Sequence, residues 1–312
     1  LRKAESSRCR MIPDLRPFQI DVVNRVRERM AAGKRRVILQ AATGAGKTTC
    51  AAHIVRCAVG LEKSVLFLAH RRRLIDQISA RLFEFEVDHG VLMRGHRYEK
   101  ACLVQVGSKD TIVSRCIDNQ WYGLPPADLI ILDEGRHALS PEYQNLIRHY
   151  PQARLILLDA TPVQPDGAGL APFADAIECA APTSELIRAG YLVPVQCYAP
   201  GRTSNRRRQG KITKGIAGDL VEAWKQHAQD MPTVVFASKV AHSRDAVERF
   251  LAAGIPAAHV DADTPDDVRD RVFDDVEAGR IQVICNVGIL GEGVDIPCLG
   301  CCVLWCNVSS RV

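Results

Sequence analysis

The chain has 312 residues, 47% of them hydrophobic and 25% charged, with 41 basic and 36 acidic side chains for a net charge of +5. That length fits two domains better than one, and the composition excludes a chain that is disordered throughout. No apolar run approaches the roughly 20 residues of a membrane span, the polar, basic start is unlike a secretory signal, and so mild a charge excess permits a polyanionic partner without demanding one.

Residues 1–14 form a basic lead-in without apolar period. Leu15-Arg16-Pro17-Phe18-Gln19 follows, then Ile20, Val23, Val26 and Met30 at helical spacing and a stop at Gly33. Pro17 suits a first helical position, where no N–H is needed. Gln19 is thereby held on the first turn, and its amide has the donor and acceptor that reading an adenine edge requires.

The next stretch organises the chain. Val37–Leu39 reads as a short strand, Ala41-Ala-Thr43-Gly44-Ala45-Gly46 as a turn, and Lys47-Thr48-Thr49 as the start of a helix that continues through Ala51, Ile54, Val55 and Ala58. Strand, glycine turn and helix in that order make a phosphate-binding loop: backbone N–H groups and the helix N-terminus face a phosphate. Lys47 is placed to reach the outer phosphates and the Thr48 hydroxyl to ligate Mg²⁺. Ala41 stands where the pattern G-x-x-x-x-G-K-[ST] has its first glycine.

Strands and helices then alternate. Ser64–Ala69, Cys102–Val106, Asp128–Glu134 and Arg154–Pro162 contain near-continuous apolar runs, which fit strands buried on both faces of a parallel sheet, and Leu74–Phe85 reads as an amphipathic helix. Sites in such sheets lie at the carboxyl ends of strands. Those ends carry His70, Ser108, Asp133, Glu134 and Thr161. Opposite a phosphate loop, Asp133 is suited to hold Mg²⁺ and Glu134 to polarise the attacking water. Arg71-Arg72-Arg73 opens a helix, where the dipole disfavours cations; a nucleic-acid phosphate would compensate, and a solvated helix start is the alternative. With few aromatics nearby, such contacts would go mainly to the backbone.

A boundary falls after Pro194. Residues 196–217 are polar and basic, with Arg206-Arg-Arg208, and read as a linker. A second α/β series occupies 218–312: helix Asp219–Ala228, strand Thr233–Ala237, helix Arg244–Ala253, strand Ala257–Val260, a helix capped by Thr264, and the strands Ile281–Cys285 and Cys302–Trp305. Cys298-x-x-Cys301 has zinc-ligand spacing but lacks a second pair on a separate turn, so Cys301–Cys306 reads as a buried strand. Cys50, Cys57, Cys102 and Cys285 read as small core residues of a reducing compartment.

The order of these motifs resembles a superfamily 2 helicase of the D-E-x-H type, especially phage and bacterial members related to type III restriction subunits. Leu15–Gln19 looks like the adenine-reading segment, with Arg16 and Gln19 facing the nucleotide. Ala42–Thr48 is similar to motif I and Ala69-His70-Arg71 to motif Ia. Val106–Thr111 is similar to the next strand-contacting motif, Asp133-Glu-Gly-Arg-His137 to motif II, and Asp159-Ala-Thr-Pro162 to motif III. Val235–Ser238 resembles motif IV and Asn286–Pro297 motif V. The resemblance implies two tandem RecA-like α/β domains with parallel sheets, the second incomplete, and ATP with Mg²⁺ in the cleft between them. It implies phosphate-loop contacts from Thr43 to Thr49, hydrolysis by Lys47, Asp133 and Glu134, and Gly293 and Asp295 facing the nucleotide. It also implies nucleic-acid contacts from His70, Arg71, Ser108, Thr111 and Ser238, and coupling through Arg136, His137, Asp159 and Thr161. The expected partner is nucleic acid, DNA before RNA, with a nuclease or methyltransferase as a candidate protein partner and the cytoplasm of a bacterial or phage-infected cell as the setting.

Three residues depart from that pattern: Arg136 where motif II has His, Asp159 where motif III has Ser or Thr, and Gly291 where motif V often has Thr. The sequence stops about where the arginines of motif VI belong and starts without Met, so the expectation is a piece of a longer motor. The alternatives are a nucleotide-gated nucleic-acid-binding module without productive turnover and a motor subunit of a restriction-type complex.

Overall fold

The computed structural model describes residues 13–93, 96, 99–163, 167, 169–170, 173–198, 219–291 and 296–306. They fall into two compact units that divide between Pro194 and Val195.

The first unit runs α1 (Pro17–Ala31), β1 (Arg36–Gln40), α2 (Lys47–Val59), β2 (Val65–Leu68), α3 (Arg72–Glu84), β3 (His89–Leu92) and β4 (Val104–Gly107). Next come α4 (Lys109–Ile112), prolonged as a π-helix over Val113–Asp118, then β5 (Leu129–Asp133), a 3₁₀ turn over Gly135–Leu139, α5 (Pro141–Arg148), β6 (Arg154–Asp159), β7 (Ala176–Cys179) and α6 (Thr183–Arg188). The strands form one sheet in the order β3-β4-β2-β5-β6-β1-β7, every described pair parallel.

Period-two alternation splits each central strand between two cores. Val37, Leu39, Val65, Phe67, Ile131, Ile156 and Leu158 pack against Val22, Ile54 and Ile75 from α1, α2 and α3. Ile38, Leu66, Leu68, Ile130, Leu132, Leu155 and Leu157 pack on the other face against Ile112, Tyr143 and Leu146 from α4 and α5. Burial on both faces is what makes these strands near-continuous apolar runs.

The strand order positions the polar ends. Because β5, β6 and β1 are neighbours, the segments after them, Glu134–Leu139, Ala160–Pro162 and the turn 41–46, emerge side by side at one edge. The ends of β2 and β4, with His70 and Ser108, continue the same row.

The second unit runs α7 (Leu220–Ala228), β8 (Thr233–Ala237), α8 (Val240–Ala252), β9 (Ala257–Val260), α9 (Asp266–Glu277), β10 (Val283–Asn286) and β11 (Cys301–Trp305), with a parallel sheet in the order β11-β8-β10-β9. Its interior is built on Trp224, Val235, Phe250 and Cys285 on one face and Phe273, Val276 and Ile284 on the other.

Two local expectations are corrected. Thr264 does not cap α9: its hydroxyl accepts from Asp261 N (2.9 Å) and donates to Asp261 Oδ1 (3.0 Å), so the helix starts one residue later, after Pro265. Cys301–Trp305 is not a buried strand but an edge strand: Cys301, Val303 and Trp305 face the core while Cys302 is exposed and Leu304 is 56% exposed.

Candidate functional site: a phosphate loop beside two carboxylate-bearing strand ends

The loop after β1 has the geometry that phosphate binding needs. Gly44 (φ +80°) and Gly46 (φ +84°) lie in the left-handed region, and Gly46 directly precedes α2 as its N-cap. A Cβ at Gly46 would stand 2.4 Å from Gln19 Nε2, so the position is closed to side chains twice over. Ala41 is not among the positive-φ residues and its amide donates to Asp159 O at 3.1 Å, which is why a Cβ is tolerated where the usual pattern has glycine. Lys47 Nζ reaches back to Ala41 O (3.4 Å), curling over the loop. Thr43 is exposed, Ala45 is buried, and Thr48 and Thr49 are half-buried on the first turn of α2.

Gln19 is engaged within the protein. Its Oε1 accepts from Arg16 N (2.9 Å) and its Nε2 donates to Ala45 O (2.8 Å), with the residue 4% exposed. It therefore ties α1 to the phosphate loop, keeping one further N–H and one further lone pair for a ligand. The Arg16 guanidinium lies 4.8 Å from the Tyr191 ring centroid, and Phe18 packs on the same ring at 5.2 Å. Leu192 is the nearest neighbour of Gly44: an added Cβ there would meet its Cδ2 at 3.0 Å. Tyr191 and Leu192 thus adjoin the site, although they lie in a short stretch after α6 that carries no motif.

Asp133, at the end of β5, is buried and accepts from Glu134 N at 3.0 Å. Burial pushes its carboxyl above the usual range; the Glu134 amide and Lys47 act the other way, and Asp159 adds to the rise as a like charge. A carboxylate in that state fits a divalent cation, which would supply the positive charge favouring its ionised form. Asp133 and Thr48 are the residues that would hold Mg²⁺.

Glu134 has φ 54° and ψ 65°, a left-handed conformation that costs a non-glycine residue about 1–2 kcal/mol. Its carboxylate Oε2 accepts from Arg136 Nη2 at 2.6 Å. Gly135 is pressed on β6, where an added Cβ would be 2.8 Å from Leu157 Cβ. Asp159, 1% exposed, accepts from Arg136 N through Oδ2 and from Thr161 N through Oδ1, each at 2.9 Å. The motif II and motif III segments are thus joined through one carboxylate. His137 turns the other way: its ring packs on His70 (4.7 Å) and on Tyr143 (6.3 Å).

The remaining predicted residues lie farther along that row of strand ends or in the second unit. Ser108 caps α4, accepting from Thr111 N (3.2 Å) and donating to Thr111 Oγ1 (2.8 Å). Arg71 is the N-cap of α3, with Arg72 and Arg73 in its first turn. Ser238, in the second unit, pairs its hydroxyl with His242 Nδ1 at 3.0 Å. Gly293, Asp295 and Arg206–Arg208 lie outside the described residues. One constellation escaped the sequence reading: Ser243 Oγ contacts His259 Nδ1 (2.7 Å), and His259 Nε2 contacts Asp261 Oδ2 (2.9 Å). Ser243 is fully buried within α8, so the trio pins α8 to β9 and offers no accessible nucleophile.

A parallel α/β unit with this loop and these strand-end carboxylates defines a phosphate-loop nucleotide-binding domain, followed here by a second α/β unit. Family comparisons agree. Residues 12–164 match the family described as "Type III restriction enzyme, res subunit", and residues 216–310 match the "Helicase conserved C-terminal domain". A 51.5 kDa protein of a Lactococcus phage is 32% identical over 272 residues, which is 83% of this chain and 56% of that protein. The putative mitochondrial ATP-dependent helicase irc3 of Schizosaccharomyces pombe is 27% identical over 316 residues, 92% of this chain and 51% of that one. The chain spans about half the length of the curated relatives it matches. Among solved structures, S. cerevisiae Dbp5 bound to RNA and ADP BeF3 superposes with a TM-score of 0.62 at 19% identity, covering 93% of this chain and 78% of that one, a likeness of fold. The chain belongs to the superfamily 2 helicases related to type III restriction res subunits, and its two units are RecA-like domains with parallel sheets. No helix among the described residues is long and apolar enough to cross a membrane.

Proposed function

We propose that this chain is the ATP-hydrolysing motor portion of a nucleic-acid helicase or translocase. The observation that carries the reading is the adjacency of the β1, β6 and β5 ends, which sets the phosphate loop, Asp159 and Asp133-Glu134 beside one another within one unit. The helicase relatives support it.

In this reading the loop amides and the α2 N-terminus hold the phosphates of ATP, and Lys47 leaves Ala41 O to meet the outer ones. Bound Mg²⁺, held by Thr48 and Asp133, would supply charge neutralisation between the phosphates. Glu134 takes a proton from the attacking water, and Arg16 and Gln19 orient the base. Gly293 and Asp295 contribute from the second domain. Nucleic acid is gripped mainly by its backbone, with His70, Arg71, Ser108, Thr111 and Ser238 as contacts, and Arg136, His137, Asp159 and Thr161 couple hydrolysis to that grip. DNA comes before RNA, because the restriction-subunit match covers residues 12–164, most of the first domain, whereas the RNA-bound neighbour shares the fold alone. A nuclease or methyltransferase is the candidate protein partner, and the cytoplasm of a bacterial or phage-infected cell the setting, in keeping with the phage relative.

The test is steady-state ATPase activity with and without single-stranded and duplex DNA or RNA. Stimulated turnover that Lys47→Ala abolishes is expected, with Glu134→Gln still binding ATP but turning over about 100-fold or more slowly. Nucleic-acid binding that depends on ATP without any turnover would instead make this chain a nucleotide-gated binding module, and the absence of both would sink the reading.

A further inference from the structure

The proposed water-activating group sits on a backbone that resists its conformation. Glu134 is left-handed, and its side chain leaves a turn only a few residues long. Such a carboxylate stays aimed at one place only if neighbours determine both the turn and the rotamer. Two neighbours do so, each acting on a different part of the residue.

Asp159 acts on the backbone. It is 1% exposed and clasps Arg136 N and Thr161 N at 2.9 Å each, so the turn that follows Glu134 cannot lift from the end of β6. A hydroxyl there has one oxygen and a shorter reach, whereas a carboxylate presents two oxygens to two amides. Arg136 acts on the carboxylate. Its guanidinium meets Glu134 Oε2 at 2.6 Å in a pair whose side chains are only 28% and 20% exposed. A hydrogen bond between two ionised groups of this geometry is shorter and stronger than a neutral one. The backbone N–H of Arg136 is held by Asp159 while its side chain holds Glu134, so one residue transmits the anchor of the first contact to the second.

We propose that Arg136 and Asp159 form a single positioning unit for Glu134, Asp159 fixing the turn and Arg136 fixing the carboxylate. The proposal rests on the reading of Glu134 as the group that activates water. Neither residue touches ATP in this role, and both act through Glu134. The two positions are therefore interdependent: a change at one alters what the other can do.

The experiment is a double-mutant cycle on the full chain, comparing wild type, Arg136→Gln, Asp159→Asn and the double variant, with Arg136→Lys as the conservative replacement. A misaimed base should lower kcat by about tenfold or more, leave KM for ATP within about twofold, and be partly restored in Arg136→Lys. Asp159→Asn should cost less in the Arg136→Gln background than in the wild type, because both changes release the same carboxylate. An unchanged or raised kcat in Arg136→Gln, a loss confined to KM, or strictly additive effects would overturn the proposal. If Asp159→Asn does not fold, the two Arg136 variants decide by their kcat. If the wild type itself lacks Lys47-dependent turnover, the functional reading fails separately. The positioning unit is then judged by amide hydrogen exchange over residues 134–137, which Asp159→Asn must accelerate more than Arg136→Gln does, because Asp159 holds the Arg136 amide; no acceleration in Asp159→Asn refutes it.

Discussion

Gly46→Ala is the perturbation whose magnitude follows most directly from the geometry of the site. Gly46 sits at φ +84°, ψ +42°, where an L side chain costs roughly 1–2 kcal/mol. The added methyl would also stand 2.4 Å from Gln19 Nε2, far inside van der Waals contact. The amide must swing away, breaking its 2.8 Å bond to Ala45 O, and a net loss of about 0.5–1.5 kcal/mol follows. Together the two terms come to roughly 1.5–3.5 kcal/mol, which for a unit of this size lowers the melting temperature by roughly 3–14 °C. Calorimetry or circular dichroism of the first unit's transition reads this directly. The two terms separate in a cycle with Gln19→Ala. There the obstructing amide is gone, so Gly46→Ala should cost only the backbone term, about 1 kcal/mol less than in the wild type. Equal costs in the two backgrounds would refute the contact between Gln19 and the loop, and a cost near zero in the wild type would refute the left-handed conformation itself. ATP affinity should fall with the loop geometry in Gly46→Ala.

Further expectations concern other parts of the fold. Gly135→Ala places a methyl 2.8 Å from Leu157 Cβ and should destabilise the first unit by about 1–3 kcal/mol, with a matching loss of turnover; a neutral denaturation midpoint would count against the packing of that turn on β6. In the second unit, Trp224 Nε1 donates to Thr233 Oγ1 at 2.7 Å in a buried contact. Thr233→Val should therefore cost about 1–3 kcal/mol in urea denaturation, and most of it should vanish in a Trp224→Phe background. Asp175 accepts from the amides of Arg36 and Arg35 (2.9 and 2.8 Å), which hold its carboxyl below the usual range. A folded-state value below the unfolded one means its stabilisation is complete above about pH 4–5 and disappears as the pH falls through the folded value. Denaturation of Asp175→Asn against wild type should show a gap that is constant near neutrality and closes in acid; a gap that widens in acid would reverse the assignment.

The central strands were legible because burial on both faces leaves them few polar positions. Thr233–Ala237 and Ala257–Val260 match residue for residue, and the runs around β1, β2, β5 and β6 differ only at their ends. β3 and β7 were not legible. His89-Gly90 puts a polar ring and a glycine into β3, and Gly90 is there because a side chain would meet Gln105 Oε1 at 2.3 Å, a reason set by the neighbouring strand. In β7, Glu178 is only 5% exposed because Arg25 (3.2 Å) and Arg29 (2.5 Å) from α1 reach it across about 150 positions of chain. Arg29 is correspondingly held above its ordinary range by the hydrogen bond and charge of Glu178. An acid in a short segment speaks against a strand until its distant partners are known. The exposed face of β11 was missed for a similar reason, since an apolar run cannot say whether its strand is central or at an edge.

The site shows the same limit at closer range. The phosphate loop and Asp133-Glu134 are contiguous segments whose spacing carries their chemistry, and they could be named from the sequence. Arg136 and Asp159 are 23 positions apart and each reads as a separate departure from a family pattern. In the fold β5 and β6 are neighbours, so the departures touch, the carboxylate of one on the amide of the other. Replacing a neutral side chain by a cation at 136 and by an anion at 159 leaves the local net charge unchanged. Either alone would leave the surroundings of Asp133 and Glu134 one charge out of balance, which in a buried site weighs more than in water. Two substitutions that each look damaging on a linear chain are mutually consistent once strand order places them together, and the double-mutant cycle asks whether function treats them as one.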